Sequence, residues 1–431
     1  MSLMQNQTIY LDNNATTMVA PEVVDAMKPY FSENYGNPSS VHYPLGMKVN
    51  EAVQNAREQV AKFLNVKRHE IVFASSGTES NNTAIRSVLQ ANPSRKKIVI
   101  TNVEHASIRN LCRKLGEEGY EIVSIGVSKS GALDFNQLES VLSEDVAIVS
   151  VMWANNETGV IFPIDQIVMK VKKYGILFHV DAVQVAGKIK IDLSSLPVDF
   201  LSISAHKFHG PKGIGALFVR YGTPFFPLLI GGGQERNCRA GTENVPGIVG
   251  FGTATKIASQ ALEGYPINAL GCAIDKRGFP MPLSIPIPIT NFDDVFSYGS
   301  GARSFVEYLR NILEGKLRDS IPESFINGKN EDRIPNTINI TIPGIEIEPF
   351  LIQLSRFGIM TSSGSACSTG ALEPSHVLMA MGHSRDLALS SIRLSLSCYT
   401  TWEEIDRAIK IIPRVALESR KLNKWQPAGV L

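Results

Sequence analysis

A lysine between two histidines closes an apolar run in Ser204-Ala205-His206-Lys207-Phe208-His209-Gly210-Pro211-Lys212-Gly213. The residues before it, Asp199–Ser204, read as a buried strand, and Gly210, Pro211 and Gly213 force a turn after it. Ligands of α/β sheets bind where strands end. A lysine placed there can be the amine that forms a Schiff base with a carbonyl compound, although such a lysine is more often simply solvated. Four other apolar runs end in residues able to do chemistry. Ser75–Ser80 follows Ile71–Ala74 and opens a helix. Its N–H and hydroxyl groups suit a phosphate, unless Ser76 or Thr78 only caps the helix. His105 follows Ile98–Thr101 as a ring that stacks and shuttles protons, or as a plain helix-entry residue. Asn156 follows Val146–Met152 as a donor to a ring oxygen, or as part of an Asn-rich turn. Asp181 ends the run Ile176–Val180. It can pair with a pyridinium nitrogen, or merely end a strand.

Taken singly these stations are weak, but together they supply every group that a pyridoxal 5'-phosphate site needs. Two further stations lie downstream. Thr361–Gly370 is small and polar with Cys367 in its middle, a setting for an accessible thiol nucleophile. The alternative is a harmless exposed cysteine. Arg393 enters a strand from Ser390-Ser391 and is a candidate bidentate clamp for a substrate carboxylate. Cys112, Cys272 and Cys398 have no comparable setting, and Cys398 reads as packing. Cys272 has no His or Cys at ligand spacing, so no metal site is expected.

The elements that must position these groups follow from periodicity. Seven short apolar strands, at Ile71–Ala74, Ile98–Thr101, Ile122–Ile125, Val146–Met152, Ile176–Val180, Asp199–Ser204 and Ala216–Arg220, alternate with helical stretches. This predicts βαβ units and a mostly parallel sheet covered on both faces. Pro21 opens a helix expected to run to about Phe31, and a long amphipathic helix ends at Leu64. Residues 264–302 carry Pro266, Pro280, Pro282, Pro286 and Pro288 and break the pattern. An extended, polyproline-like segment is expected there. Helical spacing resumes at Phe305. Strands at Ile338–Ile342 and Ile392–Leu396 and a helix from a Thr401/Glu404 capping box then predict a smaller α+β unit. The expected division is 16–262 for the large domain, 1–15 and 303–431 for the small one, and 264–302 as an insertion.

Composition bounds the reading. At 431 residues, 44% hydrophobic and 19% charged, the chain is an ordinary globular protein with room for two domains. A net charge of +1 without a basic block offers nothing to nucleic acid or an anionic membrane. No apolar run approaches a spanning length, and the N-terminus lacks a signal-peptide pattern. Five cysteines without a C-x-x-C argue against a disulfide framework, so a cytoplasmic setting is expected.

With these residues assembled, the chain resembles cysteine desulfurases of the NifS/IscS type, in the class V aminotransferase superfamily of fold-type I pyridoxal phosphate enzymes. The resemblance rests on motifs in the family's order: Tyr10–Thr17, Gly36–Ser40, Gly77–Asn82, Glu104-His105, Asn155–Gly159, His179–Gln184, Ser204–Gly213, Arg239–Asn244, Ser362–Cys367 and Ser391–Arg393. It implies an α/β fold whose large domain holds a mostly parallel seven-stranded sheet. It implies that Lys207 is the Schiff-base lysine, that His105 stacks on the ring and that Asp181 pairs with its nitrogen. Asn156 and Gln184 would contact the phenolic oxygen. Gly77, Thr78, Ser204 and His206 would hold the phosphate, with Thr242 reaching the phosphate of a neighbouring subunit in a homodimer. Arg393, Asn156 and Asn37 would bind the carboxylate of L-cysteine, and Cys367 would take its sulfur as a persulfide for a sulfur-acceptor or iron–sulfur scaffold protein. The insertion at 264–302 departs from the family pattern. A selenocysteine lyase or another class V enzyme would keep Lys207, Asp181 and Thr78 without needing Cys367. A catalytically silent interaction protein would need none of them.

Overall fold

The computed structural model describes residues 8–263, 273–274, 280–281, 302–363 and 373–425. Strand β1 (Ile9–Tyr10) is followed by helices α1 (Pro21–Met27), α2 (Pro29–Ser32) and α3 (Pro44–Leu64). The single helix expected from Pro21 to Phe31 is thus two, with the break at Lys28. Pro29 has no N–H to continue the ladder and serves instead as the first residue of the next helix. Then come β2 (Ile71–Ala74), α4 (Gly77–Ala91), β3 (Lys97–Thr101), α5 (Ala106–Glu117), β4 (Glu121–Ile125), α6 (Phe135–Val141), β5 (Val146–Met152), α7 (Ile164–Lys172), β6 (Leu177–Asp181), β7 (Phe200–Ser204), β8 (Gly215–Val219) and α8 (Val245–Leu262).

Strands β2 to β8 form a seven-stranded sheet in the order β2-β8-β7-β6-β5-β3-β4. Strand β8 is antiparallel to both neighbours, so β2 runs in the same direction as the five strands beyond β8. Side chains alternate between the two faces as a strand requires. Val99, Val149, Val151, Phe178, Val180, Leu201 and Ile203 pack under α3, α7 and α8. Ile98, Ile100, Ile148, Phe200 and Leu217 pack under α4 and α5. Polar side chains interrupt this core. His179 is fully buried in β6, with Nδ1 2.8 Å from Ser150 Oγ on β5 and Nε2 2.9 Å from Ser202 Oγ on β7. A neutral imidazole has one donor and one acceptor, and each meets a hydroxyl.

A second core gathers around a four-stranded antiparallel sheet. Its strands, after the short pair β9 (Ala273–Ile274) and β10 (Pro280–Met281), are β11 (Phe325–Ile326), β12 (Thr337–Thr341), β14 (Ser362–Ser363) and β15 (Ser391–Ser395), in the order β11-β12-β15-β14. It packs under α9 (Ala302–Ser320), α10 (Ile347–Arg356) and the long C-terminal helix α13 (Trp402–Leu422). The last begins at the expected Thr401/Glu404 capping box; the short helices α11 (His376–Ala380) and α12 (Arg385–Leu389) precede it. The N-terminal Ile9 and Leu11 belong to this core, because β1 pairs in parallel with β13 (Ile359–Met360). Within the proline-rich stretch, β9 and β10 pair antiparallel, so those four residues are in sheet pairing rather than a lone polyproline segment. The rest of that stretch lies outside the described residues. Among the described residues no helix is long and apolar enough to cross a membrane.

Candidate active site

The parallel direction of β2, β3, β5, β6 and β7 brings five strand ends to one edge of the sheet. There they enclose a cavity of about 290 Å³, whose lining includes Gly77, Thr78, His105, Asn156, Asp181, Gln184, Ser204, His206 and Lys207. Nine of the predicted site residues therefore share one cavity. The loops after β2 and β3 are short because α4 and α5 begin within a few residues of the strand ends. Ser76 is the N-cap of α4, its Oγ accepting from Glu79 N. His105 is the N-cap of α5, its Nδ1 accepting from Ser107 N at 3.1 Å. The capping alternative for Ser76 is thus realised, and the Gly77 and Thr78 N–H groups stand beyond it at the helix start.

The electrostatics separate these groups. The Asp181 carboxylate is buried and held by two donors, Asn81 Nδ2 at 2.8 Å and Val183 N at 3.0 Å. Lys207 Nζ donates to the carbonyls of Asn14 at 2.6 Å and Ala15 at 3.0 Å. Burial, and then the Arg393 charge, lower its pKa to about 8. Burial lowers the His105 pKa as well. Since its Nδ1 accepts the Ser107 N–H, the proton of the neutral ring sits on Nε2. His206 is pushed to about 4, first by burial and then by Lys207, and its Nδ1 meets Thr16 Oγ1 at 3.2 Å. Three buried atoms of the lining, Ser204 Oγ, Asn156 Oδ1 and Asn81 Oδ1, have no hydrogen-bond partner, which is unusual for buried polar atoms. A Cβ at Gly77 would come within 2.7 Å of Val183 Cγ2. Free hydroxyl and amide groups, a helix start without side-chain bulk, a carboxylate and an amine fit the phosphate, ring and carbonyl of pyridoxal 5'-phosphate.

Arg393 lies on β15 at the seam of the two cores. Nη2 is 2.7 Å from Asp12 Oδ1, Nη1 donates to the Asn156 carbonyl at 3.1 Å, and Nε is buried without a partner. It sits beside the cavity and is tied to a residue that lines it. Asn37 and Thr242 are not brought to the cavity within this chain. Asn37 is exposed and its Oδ1 accepts from Ser39 N at 2.8 Å; Thr242 is exposed in the loop before α8. Cys367 and Cys272 lie outside the described residues. The flanks of the Cys367 loop are described. Ser362 pairs with Arg393 across β14 and β15, and Ser375 donates to Glu157 while His376 Nε2 lies 3.1 Å from the Glu104 carbonyl. Both flanks are thus fastened beside His105 and Arg393. Burial raises Glu104 to about 8 and Glu157 to about 7. Cys398 meets His209 Nε2 at 3.5 Å, with its thiol pushed up to about 12 by burial.

Sequence reading missed Asn14. Its carbonyl accepts from Lys207 and, at 3.1 Å, from Gln184 Nε2. Its side chain joins Asn156, Asn336, Thr337 and Lys188. The signal was present in Asp12-Asn13-Asn14, a polar run directly after a buried strand, but its partners lie more than a hundred residues away.

Comparison with known proteins agrees with this geometry. The family description "Aminotransferase class-V" matches residues 9–269 and 303–408, skipping the core of the proline-rich stretch. The chain is 46% identical to a cysteine desulfurase of Trichormus azollae over 418 residues, covering 97% of this chain and 95% of that protein. It is 43% identical to the cysteine desulfurase NifS of Azotobacter vinelandii over 418 residues, covering 97% and 94%. The solved structure of a NifS-like protein superposes with a TM-score of 0.81 at 36% identity, covering 96% of this chain and all of the other.

Proposed function

The chain belongs to the class V aminotransferase family, and from that premise we propose that it is a pyridoxal-phosphate-dependent cysteine desulfurase. It converts L-cysteine to L-alanine and passes the sulfur to the Cys367 thiol as a persulfide, which supplies iron–sulfur cluster assembly. The observation that carries the reading is the single cavity in which Lys207, Asp181, His105 and the start of α4 converge.

When bound, pyridoxal 5'-phosphate supplies a carbonyl carbon for amine attachment and an electron sink for the substrate carbanion. Gly77, Thr78, Ser204 and His206 would hold its phosphate, His105 and Asp181 would hold its ring, and Asn156 and Gln184 would donate to its phenolic oxygen. With a pKa near 8, about a quarter of the Lys207 amine is neutral at pH 7.5 and able to act as nucleophile and base. Lys207 Nζ moves the substrate α-proton, and Arg393, with Asn156 and Asn37, receives the carboxylate. Cys367 attacks the substrate sulfur; the carbon–sulfur bond breaks, a sulfur–sulfur bond forms, and L-alanine leaves.

The active unit is proposed as a homodimer. Phe226, Leu228, Leu229 and Ile230 are exposed, Ile230 at 87%, in the segment leading to Arg239–Asn244. An apolar run of this kind is characteristic of a covered surface, and Thr242 beside it would complete the partner's phosphate site. Residues 16–262 form the cofactor domain, with 1–15 and 303–431 as the smaller domain and 264–302 as an insertion; the setting is cytoplasmic.

The test is L-alanine release from L-cysteine with sulfide measured under reductant. Lys207→Ala should lose both turnover and the visible absorbance of the bound cofactor. Cys367→Ser should keep the absorbance and lose sulfur transfer; full cysteine turnover in that variant would refute the mechanism. Equal or better turnover of selenocysteine by Cys367→Ser would favour the lyase reading. A monomer with full cofactor occupancy at micromolar concentration would refute the dimer.

A further inference from the structure

Lys188 is buried, and among the described residues no carboxylate lies within ion-pair distance of it. A buried lysine without a counter-ion is rare, so what its amine touches is informative. Nζ donates to Gln184 Oε1 at 2.8 Å and to Asn14 Oδ1 at 3.3 Å. Burial, with the Lys207 and Arg393 charges adding to it, pushes its pKa well below the ordinary lysine value.

The chain reaches this arrangement through one helical turn after β6. Val185 N and Ala186 N both bond to the Ala182 carbonyl, and Ile189 N bonds to that of Val185. Gln184 and Lys188, four residues apart, meet across these turns. Gly187 makes the turn possible. Its φ is +77°, and a Cβ there would collide with Phe208, the residue after Lys207. Gln184 lines the main cavity, whereas Lys188 lines a smaller one of about 80 Å³ on its far side. Lys188 thus stands behind Gln184 as seen from the cofactor site.

Nζ donates to Gln184 Oε1, and this contact holds the glutamine amide in one orientation. Oε1 must face Lys188, and Nε2 must face away. One Nε2 hydrogen goes to the Asn14 carbonyl at 3.1 Å, and the other remains for the cavity. Without Lys188 only the Asn14 carbonyl contact holds the amide, and a turn of the amide would present its oxygen to the cavity, an acceptor facing an acceptor.

We propose, resting on the cofactor reading above, that Lys188 is a positioning residue which locks the Gln184 amide so that an N–H faces the phenolic oxygen of pyridoxal 5'-phosphate. It does so without touching the cofactor, and through Asn14 it also steadies the carbonyl that Lys207 Nζ contacts. Losing one oriented hydrogen bond of this kind weakens binding about tenfold.

The test is titration of the cofactor-free dimer or monomer, as isolated, with pyridoxal 5'-phosphate, followed by visible absorbance. Lys188→Met should raise the cofactor Kd about tenfold and move the absorbance maximum as Gln184→Leu does. The double variant should be no worse than either single one, because both remove the same contact. A residue with only a packing role would lower the melting temperature of the cofactor-free protein and leave the absorbance maximum in place. Wild-type Kd and spectrum in Lys188→Met, or effects that multiply in the double variant, would overturn the proposal. If Lys188→Met does not fold, Gln184→Glu serves. It keeps an acceptor for Lys188 but removes the N–H, and an unaltered spectrum there would also overturn it. A wild-type protein without visible absorbance, or Lys207→Ala retaining it, would overturn the cofactor reading and this proposal together.

Discussion

Replacing His179 with Asn should flatten the acid side of the stability curve. In the folded protein the ring is enclosed between Ser150 and Ser202, and burial pushes its pKa from 6.5 to about 3. The folded value lies below the unfolded one, so the unfolded chain takes up the proton first. The stabilisation is complete above pH 6.5 and is lost as pH falls toward the folded value near 3, at about 1.4 kcal/mol per pH unit. Between pH 7.5 and 5.0 this one ring accounts for a loss of about 2 kcal/mol. Asn keeps a donor and an acceptor for the two hydroxyls but carries no proton. The variant should be less stable at pH 7.5 by about 2–4 kcal/mol, from lost packing and poorer hydrogen bonds. Its further fall on going to pH 5.0 should be about 2 kcal/mol smaller than that of the parent. His206, His209 and His376, each pushed to about 4, titrate in both proteins and cancel. The assay is urea unfolding of cofactor-free protein at the two pH values. An equal fall in both proteins would mean that the ring is not held neutral and that the buried Ser–His–Ser link is misread.

Other expectations follow from local geometry. Arg57 and Glu235 form a buried bidentate pair, with both contacts at 2.6 Å, and Glu235 also accepts from Phe73 N; Arg57→Ala should cost about 3–5 kcal/mol in urea unfolding. Thr401→Ala should cost about 1 kcal/mol, because the capping box of the C-terminal helix loses its Glu404 N–H acceptor. Gly187→Ala should destabilise by about 1–3 kcal/mol and weaken cofactor binding, as Phe208 is driven toward Lys207. Cys112 and Cys398, both pushed up to about 12 by burial, should alkylate at pH 8 about a thousandfold more slowly than in the urea-unfolded chain. Rapid native alkylation read by mass spectrometry would contradict that.

Much of the site was legible because each chemical residue follows an apolar run, and in a parallel sheet those runs all end on one edge. His105, Asn156, Asp181 and Lys207 are legible in this way, and Gln184 only through the resemblance. Short elements were harder to see. The helix α6 shows only Phe135, Leu138 and Val141 as its apolar face, and β11, β13 and β14 are two residues each. The break at Pro29 was readable but was passed over in favour of one longer helix. Asn14 and Lys188 were not legible, because their meaning comes from partners. Asn14 bonds to Thr337, and the lysine looks like any surface residue until Ala254, Ala258 and Leu262 of α8 appear alongside it in the lining of the small cavity. The fold brings residues 12–14 against residues 391–395, and single-sequence patterns carry no such information.

That meeting sets an order of events at the ribosome. Asn14 N bonds to Ser395 Oγ across 381 positions, and Asp12 grips Arg393 across the same distance. The central sheet can assemble once residue 219 has emerged, since all seven of its strands lie before that point. The carbonyls that Lys207 contacts stay unanchored until β15 has been made and has cleared the exit tunnel. A nascent chain therefore owns a folded sheet long before it owns a finished pocket. Cofactor capture with full affinity has to wait for β15, and a truncation just before Ser391 should yield a folded sheet that binds the cofactor poorly.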